Sequence, residues 1–325
     1  MARGHAGLPR PSNCVFKKCD ILDTLASVDA DQTARDRVLR LETEFRRRVQ
    51  GHVESLPLND AKFEKFHTSP FVLLIHSFHR GYATIREIEA DILPAKLFSS
   101  METSAGRMVE AVMLSGYGWE CVESEMHSAN SALDGRLLDG DVLKLATLKS
   151  GPRCLNDEMS ENFADAILGN ATTWAAERNV RKIAFTYGVL YGTQRQSNKK
   201  DWHILRKLRE KLPDTEVTRQ PDGRWDCAFR KGEVDVDVSV RVGADWWNYL
   251  GGQNCLVEMC VALIRACVRP GDSDPRDHGY TIADLSGIVS TDIVPGDYNV
   301  GLLQRSQLEW LFFIVRHFCD VLVNE

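Results

Sequence analysis

The chain has 325 residues, 43% of them hydrophobic and 26% charged, which is ordinary for a globular protein with a sizeable core. Its formal net charge of −6 argues mildly against a nucleic-acid partner, although a nuclease can concentrate its basic residues in one cleft. The nine cysteines include no CxxC pair, so nothing favours a structural zinc site, and free thiols suit a reducing compartment. No apolar stretch resembles a secretory signal or is long enough to span a membrane. We therefore expect a soluble, cytoplasmic protein.

The N-terminal part is predicted to be helical. Residues 1–19 begin with a Gly/Pro-rich stretch and are expected to be disordered. Residues 20–64 form a helical N-terminal segment, because apolar residues recur at helical spacing from Leu22 to Val49. This segment carries three consecutive arginines, 46–48, for which a solvated helix face is favoured over a phosphate-contacting arm.

The remaining residues, 65–325, are predicted to form one further domain. Periodicity and turn signals give helices over 71–78, over 84–98 and from 104, a hairpin at 131–150, a helix at 157–178, a strand at 181–187, a helix at 198–212, strands within 224–242, helices from 244 and over 254–268, a loop at 269–300, and a final helix over 302–323. This order predicts an α/β fold with a mixed central β-sheet flanked by helices. The 254–268 helix is apolar on most faces and is expected to be core or a dimer interface.

The hairpin contains the most informative segment, SALDGRLLDGDVLKLATLKSGP. Asp139-Gly140 is a strong two-residue turn signal, and it predicts that Asp134 lies opposite Leu145. Because alternate residues of a strand share a face, Asp134, Thr147 and Lys149 are then expected on the same side, provided that no bulge intervenes.

An acid and a lysine on one face suit phosphodiester hydrolysis. A carboxylate holds Mg²⁺ against a phosphate oxygen, and a nearby lysine orients or deprotonates a water. An ordinary surface hairpin is the alternative. Lys149 favours the active-site interpretation, because it ends an apolar strand and is followed at once by a Ser-Gly-Pro turn, with Asn156 as the N-cap of the next helix.

Asp134 together with TLKSGP resembles the PD-(D/E)XK superfamily, and an SGP tail before a helix is typical of type II restriction endonucleases. The resemblance, which is greatest to enzymes that cleave RGGNCCY, covers roughly residues 65–255 through short motifs in a shared order. Those outside the hairpin are Ser69-Pro70-Phe71, the stretch Gly106 to Glu110, Tyr191-Gly192, the HILRKLRE helix and the DWWNYL helix near Asp245. The resemblance implies a restriction-endonuclease-like fold for residues 65–325, a Mg²⁺ cofactor, a homodimer and double-stranded DNA with a palindromic, GC-rich site like GGNCC.

The resemblance also implies roles for particular residues. Asp134 would be the metal-binding acid and Lys149 the catalytic lysine. The chain departs from the family at Thr147, where the pattern has Glu or Asp, so a second carboxylate must come from elsewhere. Glu110, as a catalytic and metal-binding residue, is the first candidate, and Glu158 or Glu161 is the second. Each of these three could instead be an ordinary acid on a helix surface.

DNA contacts are predicted in the stretch from Gln194 to Lys207, with Arg195, Asn198, Lys199 and Lys200 as the candidates. Such side chains read base edges, and a helix N-terminus favours phosphate. A solvated helix start is an equally good interpretation of this stretch. His203 is expected to be a packed helix residue rather than a ligand.

The sequence thus favours a type II site-specific deoxyribonuclease that belongs to a restriction-modification system. Three alternatives remain open: a repair or recombination nuclease of the same fold, a DNA-binding protein with a degenerate nuclease fold, and an unrelated α/β protein with a chance hairpin.

Overall fold

A computed structural model describes residues 13–56, 70–81, 84, 89–122, 130–152, 154–197, 202–212, 215, 217–220, 225–271 and 282–325. The predicted α/β class is confirmed, since a seven-stranded mixed sheet is flanked by helices. Residues 1–12 of the segment expected to be disordered lie outside the described residues, whereas residues 15–19 of it form a strand and the start of a helix. None of the described helices is both long enough and apolar enough to cross a lipid bilayer.

The helices and strands are numbered separately, each in chain order. The helices are α1 Lys18–Ala30, α2 Gln32–Glu54, α3 Pro70–Arg80, α4 Glu89–Gly116, α5 Asp157–Arg178, α6 His203–Lys211, α7 Ala244–Gly251, α8 Cys255–Cys267, α9 Leu285–Val289 and α10 Arg305–Val315, with a 3-10 turn at Arg316–Phe318. The strands are β1 Val15–Lys17, β2 Glu120–Cys121, β3 Gly135–Asp139, β4 Val142–Lys149, β5 Lys182–Val189, β6 Val217–Arg219, β7 Trp225–Lys231, β8 Val234–Val242 and β9 Val321–Val323.

The large sheet has the order β2-β3-β4-β5-β8-β7-β6. Its centre, β4, β5 and β8, is parallel, and its outer pairs are antiparallel. β5 is buried along nearly its whole length, as expected for a strand covered on both faces. The three central strands end in register at Lys149, Val189 and Val242. In open α/β sheets this carboxyl edge is where ligands bind.

The helices form two buried clusters, one on each side of the sheet. One cluster joins α1, α2, α4, α7, α8 and α10, and the other joins α5 and α6 to the opposite face. The N-terminal segment therefore contributes to the main core, through residues such as Val38 and Phe45. The arginine run of α2 is a solvated helix face as predicted, because Arg46, Arg47 and Arg48 pair with acids one turn earlier on the same helix.

Several predicted boundaries are wrong, for reasons that lie in tertiary structure or capping. The first helix breaks at Asp31, whose carboxylate caps α2 by accepting from the backbone N–H groups of Thr33 and Ala34. The helices expected over 84–98 and from 104 are one continuous helix, α4. The final helix ends at Val315, and β9 beyond it pairs in parallel with β1.

The α7–α8 region is more deeply buried than its sequence suggests. Adjacent residues on a helix face different ways, which predicts one buried tryptophan, yet Trp246 and Trp247 are 0% and 1% exposed. Trp247 Nε1 donates to the carbonyl of Leu190 at 2.8 Å. Of the two interpretations of the 254–268 helix, the core is confirmed, since α8 is buried on most of its faces within one chain.

Candidate active site

In the hairpin, each residue of β3 pairs with a residue of β4 two positions farther along the chain than predicted. Asp139 pairs with Val142, so the turn consists of Gly140 and Asp141, and Gly140 takes a positive φ of 61° that suits glycine. A shift of two keeps every side chain on its expected side, because the side-chain period of a strand is two. Asp134 consequently lies opposite Thr147 rather than Leu145. Its backbone N–H donates to the carbonyl of Ala146 at 2.9 Å.

The Asp134 carboxylate is held by the end of β4. Its Oδ2 accepts from the backbone N–H of Leu148 at 2.6 Å and from Thr147 Oγ1 at 3.2 Å. Both hydrogen bonds fall on Oδ2, so among the residues that the structure describes Oδ1 is left available for a further ligand. Asp134 therefore lies beside Thr147 on the end of β4, and its metal-binding role stays a prediction.

Thr147 has a structural role that the sequence did not reveal. It is 2% exposed and occupies the position where the superfamily pattern has a second acid. Its hydroxyl donates to Asp134, so this residue orients the first acid instead of supplying a second one. The second carboxylate, if there is one, must come from another element.

Glu110 of α4 lies near this pair, because Gly106, one turn earlier on the same helix, packs against Ser150 at the end of β4. Burial, followed by the negative charge of Asp134, raises the pKa of Glu110 to about 7, while the positive charges of Lys149 and Arg107 act in the opposite direction. Charges influence one another this strongly only over short distances in a partly buried place. The structure thus brings together Glu110, Asp134 and Lys149, although the first and the last of them are 39 residues apart in the sequence.

Lys149 stands at the carboxyl edge of the sheet, between the two helical layers. Its Nζ is 5.8 Å from the centre of the Phe163 ring of α5, and its carbonyl accepts from the backbone N–H of Leu190 at 2.9 Å. The backbone of this lysine is therefore fixed by β5, while its half-buried ammonium group stays close to Glu110.

The SGP turn after Lys149 is closely packed. A Cβ on Gly106 of α4 would lie 2.1 Å from Ser150 Oγ and 3.1 Å from Ser150 Cβ, and one on Gly151 would lie 2.5 Å from the hydroxyl of Tyr191. Gly106 thus allows α4 to approach the end of β4 closely enough to bring Glu110, one turn farther along, to the hairpin. Arg107 and Tyr191 also adjoin the site; both belong to motifs of the resemblance, which assigns neither a role.

Gly106→Ala is expected to destabilise the protein by about 1–3 kcal/mol, because the added methyl group forces α4 away from β4. Gly169→Ala is the matched control, since it is also a helix-interior glycine but its added methyl group would have no atom within 4 Å. The free energy of unfolding of that variant should rise by about 0.5–1 kcal/mol, because alanine has a higher helix propensity than glycine. Urea unfolding measures both values. Equal stabilisation of the two variants would show that α4 does not need this close approach.

The second-choice acids are less well placed. Glu158 is exposed in the first turn of α5, and the structure describes no interaction between it and Asp134. Glu161 binds Lys207 and Lys211 of α6 at 3.6 and 3.3 Å, which directs it towards that helix. Glu110 therefore remains the candidate with the best geometry.

The predicted DNA-contacting residues are described only in part. Arg195 is exposed, and its guanidinium group donates to the side chain of Asn13. Asn198, Lys199 and Lys200 lie outside the described residues. His203 pairs with Asp157 at 2.8 Å and so ties α6 to the start of α5.

The carboxylates fit a Mg²⁺ ion that keeps much of its water shell. Among the described residues no group of three or more His, Cys, Asp and Glu side chains is arranged to hold a metal ion. Two carboxylates suffice for Mg²⁺, because waters and substrate phosphate complete its octahedron. A cation held by Glu110 and Asp134 would also offset the repulsion from Asp134, which adds to burial in raising the pKa of Glu110.

The raised pKa of Glu110 gives a stability prediction for the metal-free protein. The folded state keeps its proton up to about pH 7, whereas the unfolded chain releases it near pH 4.3, so this group lowers the free energy of unfolding as the pH rises between those values. Glu110→Gln removes the effect. As the pH rises from 5 to 8, the free energy of unfolding of this variant should increase by on the order of 2 kcal/mol relative to that of the wild type. Thermal unfolding in EDTA at both pH values measures this difference, and a pH-independent difference would contradict it.

The sequence matches none of the protein-family models with which it was compared, and no curated protein matches it either. The resemblance to the PD-(D/E)XK superfamily therefore rests on the short motifs of the sequence and their order.

Proposed function

We propose that this protein is a Mg²⁺-dependent endonuclease of the PD-(D/E)XK type that hydrolyses phosphodiester bonds in double-stranded DNA. The observation that carries the proposal is the close approach of α4, which carries Glu110, to the end of β4, where Asp134 and Lys149 lie. Two acids and a lysine are the groups that metal-assisted phosphodiester hydrolysis requires.

Each residue has a distinct part in the proposed reaction. Asp134, fixed by its two hydrogen bonds, and Glu110, once ionised, would hold the metal ion. When bound, Mg²⁺ would neutralise part of the negative charge on the phosphate. Lys149 would orient the water that attacks phosphorus in line, so that the new P–O bond forms as the bond to the leaving sugar oxygen breaks. Because Glu110 must lose its proton to bind metal, cleavage should rise with pH around neutrality.

The finer part of the proposal is a type II restriction endonuclease that acts in the cytoplasm as a homodimer on a palindromic, GC-rich site such as GGNCC. A two-fold symmetric protein matches a palindrome, with one active site for each strand. A companion methyltransferase gene beside this one would favour a restriction system over a repair or recombination nuclease.

Digestion of phage DNA in Mg²⁺ and in EDTA, with mapping of the cut ends, tests the proposal. Discrete fragments with defined ends in Mg²⁺, and intact DNA in EDTA, are the expected result. Intact DNA in Mg²⁺ across several phage genomes would contradict the nuclease assignment, and Mg²⁺-dependent random fragments would contradict the site-specific part.

A DNA-binding protein with a degenerate nuclease site is the second candidate, and Thr147 is the observation that favours it. The position opposite Asp134 carries a hydroxyl where the superfamily has an acid. This alternative predicts that the protein retards a short duplex in Ca²⁺ but cuts no DNA in either Mg²⁺ or Mn²⁺.

A further inference from the structure

Large apolar side chains are exposed along α3 and the first half of α4. Phe71, Leu74 and Phe78 of α3 are 74%, 70% and 91% exposed. The other members of this surface, which we call the α3–α4 surface, are Val72, Ile75, Phe98 and Met101. Single exposed apolar residues are common on protein surfaces. Seven of them within two consecutive helices instead indicate an interaction surface.

The apolar side of α3 is directed away from α4. At 100° per residue, its exposed apolar side chains occupy one arc, and His76 and Arg80 lie on the other side of the helix. Those two residues face α4, where they bind Asp91 at 2.8 and 3.3 Å. A surface helix of a monomer normally buries its apolar face and exposes its polar one. Here the apolar arc is exposed, together with His79, while His76 and Arg80 lie towards α4 and remain partly exposed.

The area of the α3–α4 surface matches that of a stable dimer. A phenylalanine, leucine or similar side chain offers roughly 150–250 Å² when fully exposed, so the seven fractional exposures add up to roughly 700–1,150 Å². The largest apolar patch on a typical monomer is about 300–600 Å². A standard protein–protein interface buries about 800 Å² on each partner.

We propose that the α3–α4 surface is the interface between two copies of this chain. None of the seven side chains is charged, so a two-fold axis through the surface sets no like charges against each other. Lipid is a poorer occupant, because interfacial helices present free cations to anionic headgroups, and Arg80 is instead engaged with Asp91.

The interface would also set the separation of two active sites. Met101 of the surface and Glu110 of the site are nine residues apart on one helix, which is about 14 Å along its axis. Two copies joined here would hold two such sites on either side of one two-fold axis, as cleavage of both DNA strands requires. This consequence rests on the proposed function, whereas the interface itself does not.

Sedimentation of the full-length chain, without DNA or metal, tests the interface independently of nuclease activity. The wild type should sediment with twice the mass of the 36.6 kDa chain. Leu74→Glu combined with Phe78→Glu should weaken self-association at least about 100-fold, because the dimer would bury unpaired carboxylates that face their own copies across the two-fold axis. Leu138→Glu is the matched control, since Leu138 is 49% exposed on β3, outside this surface, and it should leave the dimer unchanged.

Circular dichroism and the thermal midpoint check that each variant folds, and Phe78→Ala serves as a milder replacement should the double variant fail to fold. A monomeric wild type at every concentration would overturn the proposal, whether or not it binds anionic vesicles. So would a folded double variant that stays dimeric, or a Leu138→Glu variant that dissociates equally.

Discussion

Lys149→Ala is expected to lower the rate of Mg²⁺-dependent DNA cleavage by about 10³-fold, the usual effect of removing a group that positions or deprotonates the attacking water. The residue ends β4, and its ammonium group is close enough to Glu110 to lower the pKa of that carboxyl. Half-exposed lysines rarely hold a fold together, so the variant should unfold at the wild-type temperature. Cleavage of supercoiled plasmid under single-turnover conditions measures the rate.

Lys182→Ala is the matched control for this prediction. Lys182 begins β5 and pairs with Val142, whereas Lys149 pairs with Val189 at the other end of the same two strands. Seven residues along a strand separate the two lysines by about 23 Å. The control should cut DNA at the wild-type rate. Loss of activity in both variants, or retention in Lys149→Ala, would show that the lysine has no special part in cleavage.

Arg37→Ala is expected to reduce the free energy of unfolding by about 3–5 kcal/mol, the largest stability effect that the structure indicates. Arg37 of α2 donates twice to Glu258 of α8, at 2.6 and 2.8 Å, and Glu258 is 0% exposed. Tyr117 also donates to this carboxylate at 2.6 Å, and burial raises the pKa of the phenol, so it remains a donor. Removal of the arginine leaves an unpaired buried charge, and urea unfolding measures the loss.

Two further variants separate the buried charge from the lost packing. Arg37→Met combined with Glu258→Gln removes both charges and should recover at least half of the loss, because a neutral pair needs no compensating ion. Arg47→Ala removes an exposed arginine from the same helix, where it pairs with Glu44, and should leave the urea midpoint essentially unchanged. A double variant as unstable as Arg37→Ala would mean that packing, not charge, dominates.

Local sequence signals predicted the parts of the site that depend on neighbours along the chain. The side on which Asp134 and Lys149 lie follows from the period of a strand, and the prediction survived a register error because that error was an even number of residues. The turn itself was misplaced by one residue, since both Asp139-Gly140 and Gly140-Asp141 satisfy the turn chemistry and only pairing across the strands decides between them.

Contacts between elements that are distant in the sequence could not be predicted from local sequence signals. Glu110 was a candidate only through the resemblance, because nothing within α4 shows that Gly106 lets the helix approach Ser150. The hydrogen bond from Thr147 to Asp134 likewise appears only when the two strands are paired. The exposure of the apolar side chains of α3 likewise could not be predicted, because the periodicity of a helix does not show which of its faces is buried.

Calorimetry of Mg²⁺ binding at pH 7, in two buffers with different ionisation enthalpies, tests most directly whether Glu110 and Asp134 form the metal site. Since the pKa of Glu110 is about 7, about half of these carboxyls are protonated at that pH, and metal binding must release about half a proton per site. We predict that release in the wild type, its loss together with weaker binding in Glu110→Gln, and loss of binding in Asp134→Asn. Equal affinity and equal proton release in the wild type and Glu110→Gln would contradict the account.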